Sequence, residues 1–321
     1  MVTWGHRSSR VAAAHPDRVA AIGTSLCSYW EYGPDGVPPL GRVEVLTAVA
    51  DPGLVDLRGC SCCSSYVRLG YTPTASDGVA IVATMPNNST YVLIPGAWHG
   101  GWAWHPVARR LRAAGHPAVA LTLPGLTDGD DPRGLGLQDA VAHIVAEVEK
   151  RDLTGVVLVG HSWGAFPATG AAHRLDGRVA KVVYFSAPVP TPGTSQNDLV
   201  SPENAEYARS LAQSTPDHTM ALPFQAFQQV MMQDEPERAQ RIVFDQLLPQ
   251  PGKYMSDPLD VAEVTTLGLP TAYILAQDDL ALPLPGAQFA ARLGAEPILI
   301  PGTHEAALTH PDHVTRALLS A

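Results

Sequence analysis

The stretch that decides the fold is Val156-Val-Leu-Val-Gly-His-Ser-Trp-Gly164. Its first four residues are apolar and mostly β-branched, which predicts a buried parallel strand. A G-x-S-x-G pattern then fills residues 160–164, and the small residues of 165–175 predict a helix. Strand, G-x-S-x-G and helix is the order found in a nucleophile elbow, where the serine lies on a strained turn. We therefore predict that Ser162 is a nucleophile and that the Trp163 N–H, at the helix start, holds an oxyanion.

The alternative is a chance match on a surface turn. Two observations argue against it: the pattern lies between a predicted strand and a predicted helix, and both of its outer residues are glycines. Gly160 and Gly164 lack the Cβ atoms that so tight a turn excludes. The local context therefore favours the elbow.

Composition and charge argue against several classes of protein. The chain has 321 residues, of which 45% are hydrophobic and 16% charged, values that suit one large globular domain with or without an appendage. A formal net charge of −10 argues against a nucleic-acid partner. No apolar run approaches the ~20 residues of a membrane helix. Residues 1–30 lack a clean apolar segment, so we expect no signal peptide, no membrane association and a cytoplasmic location.

All 4 cysteines lie before residue 65, at Cys27, Cys60, Cys62 and Cys63. The Cys-Ser-Cys-Cys sequence lacks the second ligand pair that zinc sites have. We therefore expect a reduced protein with no metal and no cofactor.

The chain divides by pattern near Met85. Residues 1–84 show no sustained period, and Gly-Pro, Pro-Pro and Asp-Pro-Gly interrupt them. We expect this part to be an appendage, disordered or loosely attached, and residues 85–321 to form the main domain. An alternative pairs residues 77–84 with residues 91–94 as a hairpin, which would bring the start of the domain to about residue 75.

The main domain alternates predicted strands and helices, which indicates a mostly parallel sheet with helices on both faces, the α/β class. Residues 187–262 interrupt this alternation with a predicted helical cap over the nucleophile. The predicted strands are 91–94, 118–123, 156–159, 179–186, 271–275 and 297–300, and the predicted helices are 107–114, 137–149, 165–175 and, in the cap, 203–213, 222–233 and 235–248.

A serine nucleophile needs a base and a carboxylate that orients the base. His304 follows the last predicted strand, a proline and a glycine, and we predict that it is the base. Asp278 and Asp279 both follow the strand at 271–275, and chemistry alone does not choose between them. The glycine-rich loop after residues 91–94 predicts a second oxyanion donor, the Ala97 N–H.

Apolar side chains of this loop and the cap are candidates for a substrate pocket, although such stripes more often form core. The candidates are Trp98, Phe224, Phe227 and Met231.

These motifs resemble one branch of the α/β-hydrolases, which holds plant methyl-ester esterases, hydroxynitrile lyases and bacterial esterases similar to pyrethroid hydrolases. The resemblance covers about residues 89–320. It rests on Tyr-Val-Leu-Ile-Pro-Gly-Ala-Trp-His-Gly-Gly-Trp, Gly-His-Ser-Trp-Gly, the Leu248-Pro-Gln-Pro251 segment and Gly-Thr-His304. It implies the α/β-hydrolase fold and places the catalytic acid at Asp279 rather than Asp278.

The resemblance implies a serine esterase that cleaves a carboxylic ester of an apolar or aromatic small molecule. A lyase or a non-catalytic binder are the alternatives. Hydroxynitrile lyases of this branch have Thr at the position of Gly96 and Lys at that of Glu305. Because both groups are missing here, and because a glutamate beside His304 repels a cyanide anion, the sequence favours the esterase. The sequence does not indicate an oligomeric state.

Overall fold

The computed structural model describes four ranges of the chain: residues 8–11, 21–25, 48–49 and 89–321. The chain divides into two units, Met1–Ala80 and Ile81–Ala321. In the first unit, the three short ranges form a three-stranded sheet whose pairs are antiparallel. The Cys-Ser-Cys-Cys sequence and nearly all of the predicted appendage lie outside the described residues, so the expectations about them stay predictions.

Residues 89–321 alternate strands and helices. The strands are β1 (Thr90–Ile94), β2 (Ala118–Ala120), β3 (Val156–His161), β4 (Val179–Phe185), β5 (Thr219–Met220), β6 (Gln250–Pro251), β7 (Thr271–Ala276) and β8 (Ile298–Ile300). The α-helices are α1 (His105–Ala113), α2 (Leu137–Lys150), α3 (Ala165–Arg174), α4 (Pro202–Gln213), α5 (Phe224–Ala226), α6 (Glu237–Phe244), α7 (Gly252–Ser256), α8 (Gly286–Arg292), α9 (Ala306–Thr309) and α10 (Pro311–Ser320).

Six of these strands form the central sheet in the order β8-β7-β4-β3-β1-β2, and each neighbouring pair is parallel. The predicted α/β class is confirmed. The register aligns Ile94 with Gly160, and His161 with Phe185, so the carboxyl ends of three strands meet at one edge. Loops that leave this edge are therefore brought together, as in other open parallel sheets.

Helices cover both faces of the sheet because side chains alternate along each strand. In β3, Leu158 belongs to the core under α2, α3 and α8, whereas Val157 and Val159 belong to the core under α1 and α10. All three are fully buried, as expected of a strand that is apolar without interruption.

Both edges of β1 are paired, to β2 and to β3. Along residues 91–93 no backbone edge is left for a further strand. The hairpin alternative concerns residues 77–84, which lie outside the described residues, so it stays a prediction.

The predicted cap helices are present with shifted ends. The first is α4; its N-cap residue, Ser201, accepts a hydrogen bond from the Asn204 N–H (3.2 Å), and a proline begins its first turn. The second consists of α5 and a π-helix at Phe227–Met231. The third, α6, ends at Phe244 rather than at residue 248. Pro249 lies in the segment that follows, and Pro251 lies in β6. A proline lacks the N–H that would continue a helix.

Candidate active site

Ser162 lies on the predicted elbow, between the end of β3 and the start of α3. Its φ is +51°, a left-handed conformation that costs a non-glycine residue about 1–3 kcal/mol. A Cβ on Gly160 would lie 2.7 Å from Ala165 Cα, and a Cβ on Gly164 would lie 2.3 Å from the Pro95 carbonyl oxygen. Both distances are shorter than contact permits, so the turn needs glycine at both places, as the sequence predicted.

His304 and Asp279 form a buried pair at the same edge of the sheet. Nδ1 of His304 lies 3.0 Å from Oδ1 and 2.9 Å from Oδ2 of the carboxylate. Both side chains are 1% exposed. Asp278 is exposed, and its backbone donates to the Gly302 carbonyl (3.0 Å) and accepts from Gln233 Nε2 (2.7 Å). The structure therefore brings Asp279, and not Asp278, to His304.

Burial and charge act in opposite directions on this pair. Burial alone lowers the pKa of His304, but the Asp279 carboxylate outweighs it through charge and a hydrogen bond, so the pKa is raised. Burial alone raises the pKa of Asp279, but His304 and the Ala281 N–H, together with Ser186, hold it below its usual value. The carboxylate is therefore ionised at neutral pH, and it fixes the proton of a neutral His304 on Nδ1.

The other ring nitrogen, His304 Nε2, is buried and has no hydrogen-bond partner among residues 89–321. The Ser162–His304 hydrogen bond is thus not formed in this structure, which is common in enzymes without a bound substrate. His161 connects the two: it directly precedes Ser162, and its Nε2–H donates to the His304 carbonyl (3.0 Å). The unpaired nitrogen and the serine are therefore held on neighbouring segments.

Sequence reasoning missed the role of His161. Burial, foremost, and the nearby His304 hold its pKa well below the usual value, so it is neutral. Its ring stacks on Phe185 at a centroid distance of 5.0 Å and lies 4.7 Å from the ring of His304. The sequence signal that could have indicated this role is the histidine between the glycine and the serine of the G-x-S-x-G motif. His161 supports the backbone of the His304 loop.

The two predicted oxyanion donors belong to segments that adjoin Ser162. Trp163 follows it in the elbow, and Gly96 lies so near that a Cβ there would be 3.0 Å from Ser162 Cβ. Among the turn and loop hydrogen bonds of residues 89–321, the Ala97 N–H donates to no backbone acceptor. Trp163 lies in the first turn of the 3-10 helix Ser162–Gly164, where N–H groups lack a partner within the helix. Two backbone donors free to bind an oxygen beside a serine are what an oxyanion hole requires.

A second buried pair lies beside the site. His99 Nε2 is 3.4 Å from Glu305 Oε2, and both side chains are 1% exposed. His99 Nδ1 lies 2.7 Å from the Ala97 carbonyl oxygen; because a carbonyl only accepts, Nδ1 carries a proton. Glu305 is thus buried beside His99, and its charge, after that of Asp279, raises the pKa of His304.

The four pocket candidates lie in one apolar cluster of the cap. Phe227 and Met231 are buried within it, and Trp98 and Phe224 pack at its partly exposed border. The Met231 carbonyl accepts from the Glu305 N–H (3.2 Å), so the cluster abuts the loop of His304. Phe227 is fully buried and therefore forms cap core, whereas the border residues remain candidates for substrate contact.

In residues 89–321 and the three short ranges, no helix is long and apolar enough to span a membrane. In the same part of the chain, no group of three or more His, Cys, Asp or Glu side chains is arranged to hold a metal ion.

Known proteins similar to this chain include a carbendazim hydrolyzing esterase of Nocardioides sp. (strain SG-4G). It is 36% identical over 109 residues, which are 33% of this chain and 45% of that protein. Methylesterase 18 of Arabidopsis thaliana is 33% identical over 108 residues, 32% of this chain and 41% of the relative. The matched part thus spans less than half the length of either protein.

A solved extracellular alpha/beta-hydrolase from a Paenibacillus species has the same fold, with a TM-score of 0.68 at 24% identity. The match covers 72% of this chain and 98% of that one. The resemblance to esterases of this branch is confirmed. A model of the alpha/beta hydrolase family matches residues 91–318, which contain the elbow, Asp279 and His304. By this match over most of its length, the chain belongs to the alpha/beta hydrolase family.

Proposed function

We propose that the protein is a carboxylic ester hydrolase that works through Ser162, His304 and Asp279 without a metal or cofactor. One observation carries the proposal. A buried His304–Asp279 pair, with the second ring nitrogen unpaired, lies at the same sheet edge as a serine in a left-handed elbow. Ser–His–Asp arrangements are recognised by such geometry and roles.

The proposed reaction has two halves. Ser162 Oγ attacks the ester carbonyl carbon while His304 Nε2 takes the hydroxyl proton. The tetrahedral oxyanion accepts hydrogen bonds from the Ala97 and Trp163 N–H groups. When the intermediate collapses, the C–O bond to the alcohol breaks and His304 returns the proton to the leaving oxygen. Water, deprotonated by His304, then attacks the acyl-enzyme, and the carboxylic acid leaves as Ser162 regains its proton.

We propose a small ester with an apolar alcohol or an aromatic acid as the substrate. This proposal is supported by the apolar cluster of the cap, which abuts the His304 loop. The cluster also contacts Trp98, which lies in the turn of residues 96–99 beside the proposed donor Ala97. The names of the similar proteins, a carbendazim hydrolyzing esterase and a methylesterase, are consistent with this class. The proposal includes a cytoplasmic location and no nucleic-acid or membrane partner, for the reasons of charge and sequence given above.

The test combines a panel of p-nitrophenyl and methyl esters with a fluorophosphonate probe. We expect turnover of small aryl or alkyl esters and labelling of the wild-type chain, and neither for Ser162→Ala. Labelling without turnover of any ester would point to a different acyl-transfer substrate, and cyanide release from mandelonitrile would point to a lyase. Absence of both labelling and turnover would indicate a binding protein and refute the proposal.

A further inference from the structure

The oxyanion turn is strained at Trp98. The turn runs from Gly96 to His99, whose N–H donates to the Gly96 carbonyl oxygen (3.4 Å). Trp98 has a φ of +66°, a conformation that glycine adopts freely and that a tryptophan adopts only when its surroundings impose it. Since Trp98 directly follows Ala97, whatever holds Trp98 also fixes the proposed oxyanion donor.

The cap holds Trp98 through three hydrogen bonds. The Trp98 N–H donates to Gln250 Oε1 (2.8 Å), and the Trp98 carbonyl accepts from the Leu248 N–H (3.0 Å). The indole Nε1–H donates to the Met220 carbonyl (2.8 Å). Both backbone polar groups of the strained residue, and its ring nitrogen, are thus bonded to the cap.

These cap partners form one small unit. Strands β5 and β6 pair antiparallel, with Met220 directly opposite Gln250. Gln250 is 0% exposed, so no solvent competes for its carbonyl oxygen. Of these three hydrogen bonds, only the one from Gln250 uses a side chain of the cap and can be removed by a substitution there.

We propose that Gln250 is a positioning residue for the oxyanion hole: its side-chain oxygen holds the Trp98 N–H and so keeps Trp98 left-handed and the Ala97 N–H turned toward Ser162. This inference rests on the proposed function. No residue of the Leu248-Pro-Gln-Pro251 segment takes part in the proposed catalytic steps. The inference gives this segment a role in positioning the oxyanion hole.

The expected effect of losing Gln250 comes from the Trp98 N–H, a buried hydrogen-bond donor. Without the Gln250 oxygen, the Trp98 N–H is left unpaired in the interior, and a buried unpaired N–H is costly. Rotation of Trp98 to the right-handed region relieves both this cost and the backbone strain. The rotation moves the 97–98 and 98–99 peptide groups, and the preceding Gly96–Ala97 peptide must readjust to keep the turn closed. The Ala97 N–H, which belongs to that peptide, then no longer points to the position of the oxyanion. The Trp98 indole keeps its hydrogen bond to the Met220 carbonyl and its packing in the cap cluster, so ground-state binding changes less than binding of the transition state.

The experiment compares Gln250→Leu with Gln240→Leu on the full chain. Gln240 is a matched control, because it is also a buried cap glutamine whose side chain bonds one backbone group, the Met232 carbonyl (2.9 Å). We expect Gln250→Leu to lower kcat about 10- to 100-fold, less than the ~10²–10³ of a deleted oxyanion donor. We expect KM to change less than about threefold, and affinity for an arylboronic acid that mimics the tetrahedral intermediate to fall with kcat. The control should keep kcat within about threefold.

A second background tests the strain argument and guards against misfolding. In Trp98→Gly the left-handed conformation is free of strain, so adding Gln250→Leu should cost less than about threefold. Equal losses of kcat from Gln250→Leu in the wild-type and Trp98→Gly backgrounds would overturn the inference, as would equal losses for Gln250→Leu and Gln240→Leu. In either case turnover by the wild-type protein would leave the esterase proposal standing. Lack of turnover in the wild type would overturn both.

Discussion

Asp279→Asn is the substitution that most sharply tests the candidate triad. Oδ1 of Asp279 accepts from the Ala281 N–H (2.9 Å), so the single oxygen of an asparagine stays on that donor. Its NH₂ group then takes the place of Oδ2, which lies 2.9 Å from His304 Nδ1. An NH₂ group only donates, and at 2.9 Å from Nδ1 it favours the tautomer in which Nδ1 accepts and the ring proton lies on Nε2. The 3.0 Å contact of Nδ1 with Oδ1 opposes this less, because that oxygen also accepts from the Ala281 N–H. In that tautomer, Nε2 can no longer take the proton of Ser162.

The expected loss follows from this wrong tautomer. A triad with the proton on the wrong nitrogen loses about 10³–10⁴ in kcat, or about 4–5.5 kcal/mol at 1.36 kcal/mol per factor of ten. The acidic limb of kcat/KM gives a second signature. His304 must be neutral to act as a base, and Asp279 raises its pKa; without the carboxylate the pKa falls, and the limb moves to lower pH.

The assay is kcat and kcat/KM on a p-nitrophenyl ester from pH 4 to 9, with thermal unfolding as a check on the fold. Asp278→Asn is the matched control: its side chain is exposed at the neighbouring position, and we expect it to change kcat less than about threefold. The reverse ranking, or more than about a tenth of wild-type kcat in Asp279→Asn, would refute the assignment of Asp279 as the acid.

Four further predictions can be checked with the same protein. Ser162→Ala should retain less than about a thousandth of wild-type kcat with an unchanged unfolding temperature, since the hydroxyl contributes little packing; normal turnover would place the nucleophile elsewhere. A chain beginning at Met85 should be soluble and active, and loss of folding that is rescued by starting near residue 75 would show that residues 75–84 belong to the domain. Mandelonitrile and acetone cyanohydrin should not release cyanide above background, because Gly96 offers no side-chain donor; Ser162-dependent release would contradict this. Glu305→Ala should lower the free energy of unfolding by about 1–3 kcal/mol in denaturant titrations, because it removes a buried side chain and its 3.4 Å contact with His99 Nε2. Glu305→Gln keeps the side-chain volume and can donate to that nitrogen, so it should cost clearly less; equal losses would exclude a contribution from this contact.

Patterns of local origin were predicted correctly from the sequence. The apolar run at 156–159 and the glycines at 160 and 164 can satisfy only a buried strand followed by a tight turn, and the structure has both. Alternating strands and helices imply a parallel sheet, and such a sheet collects its loops at one edge. The sequence alone thus determined the fold class, the strained serine and the general position of His304.

Relations between distant segments were decided only by the tertiary structure. Asp278 and Asp279 are chemically alike, and the last residue of β7 sets which carboxyl group reaches His304. The burial of Glu305 with its Oε2 3.4 Å from His99 Nε2 likewise joins segments that are far apart in the sequence. The hydrogen bond from the Trp98 N–H to Gln250 joins residues 152 positions apart, so no local sequence pattern predicts it. Periodicity and turn chemistry act over a few residues, whereas burial, charge pairing and long-range hydrogen bonds exist only once the chain has folded.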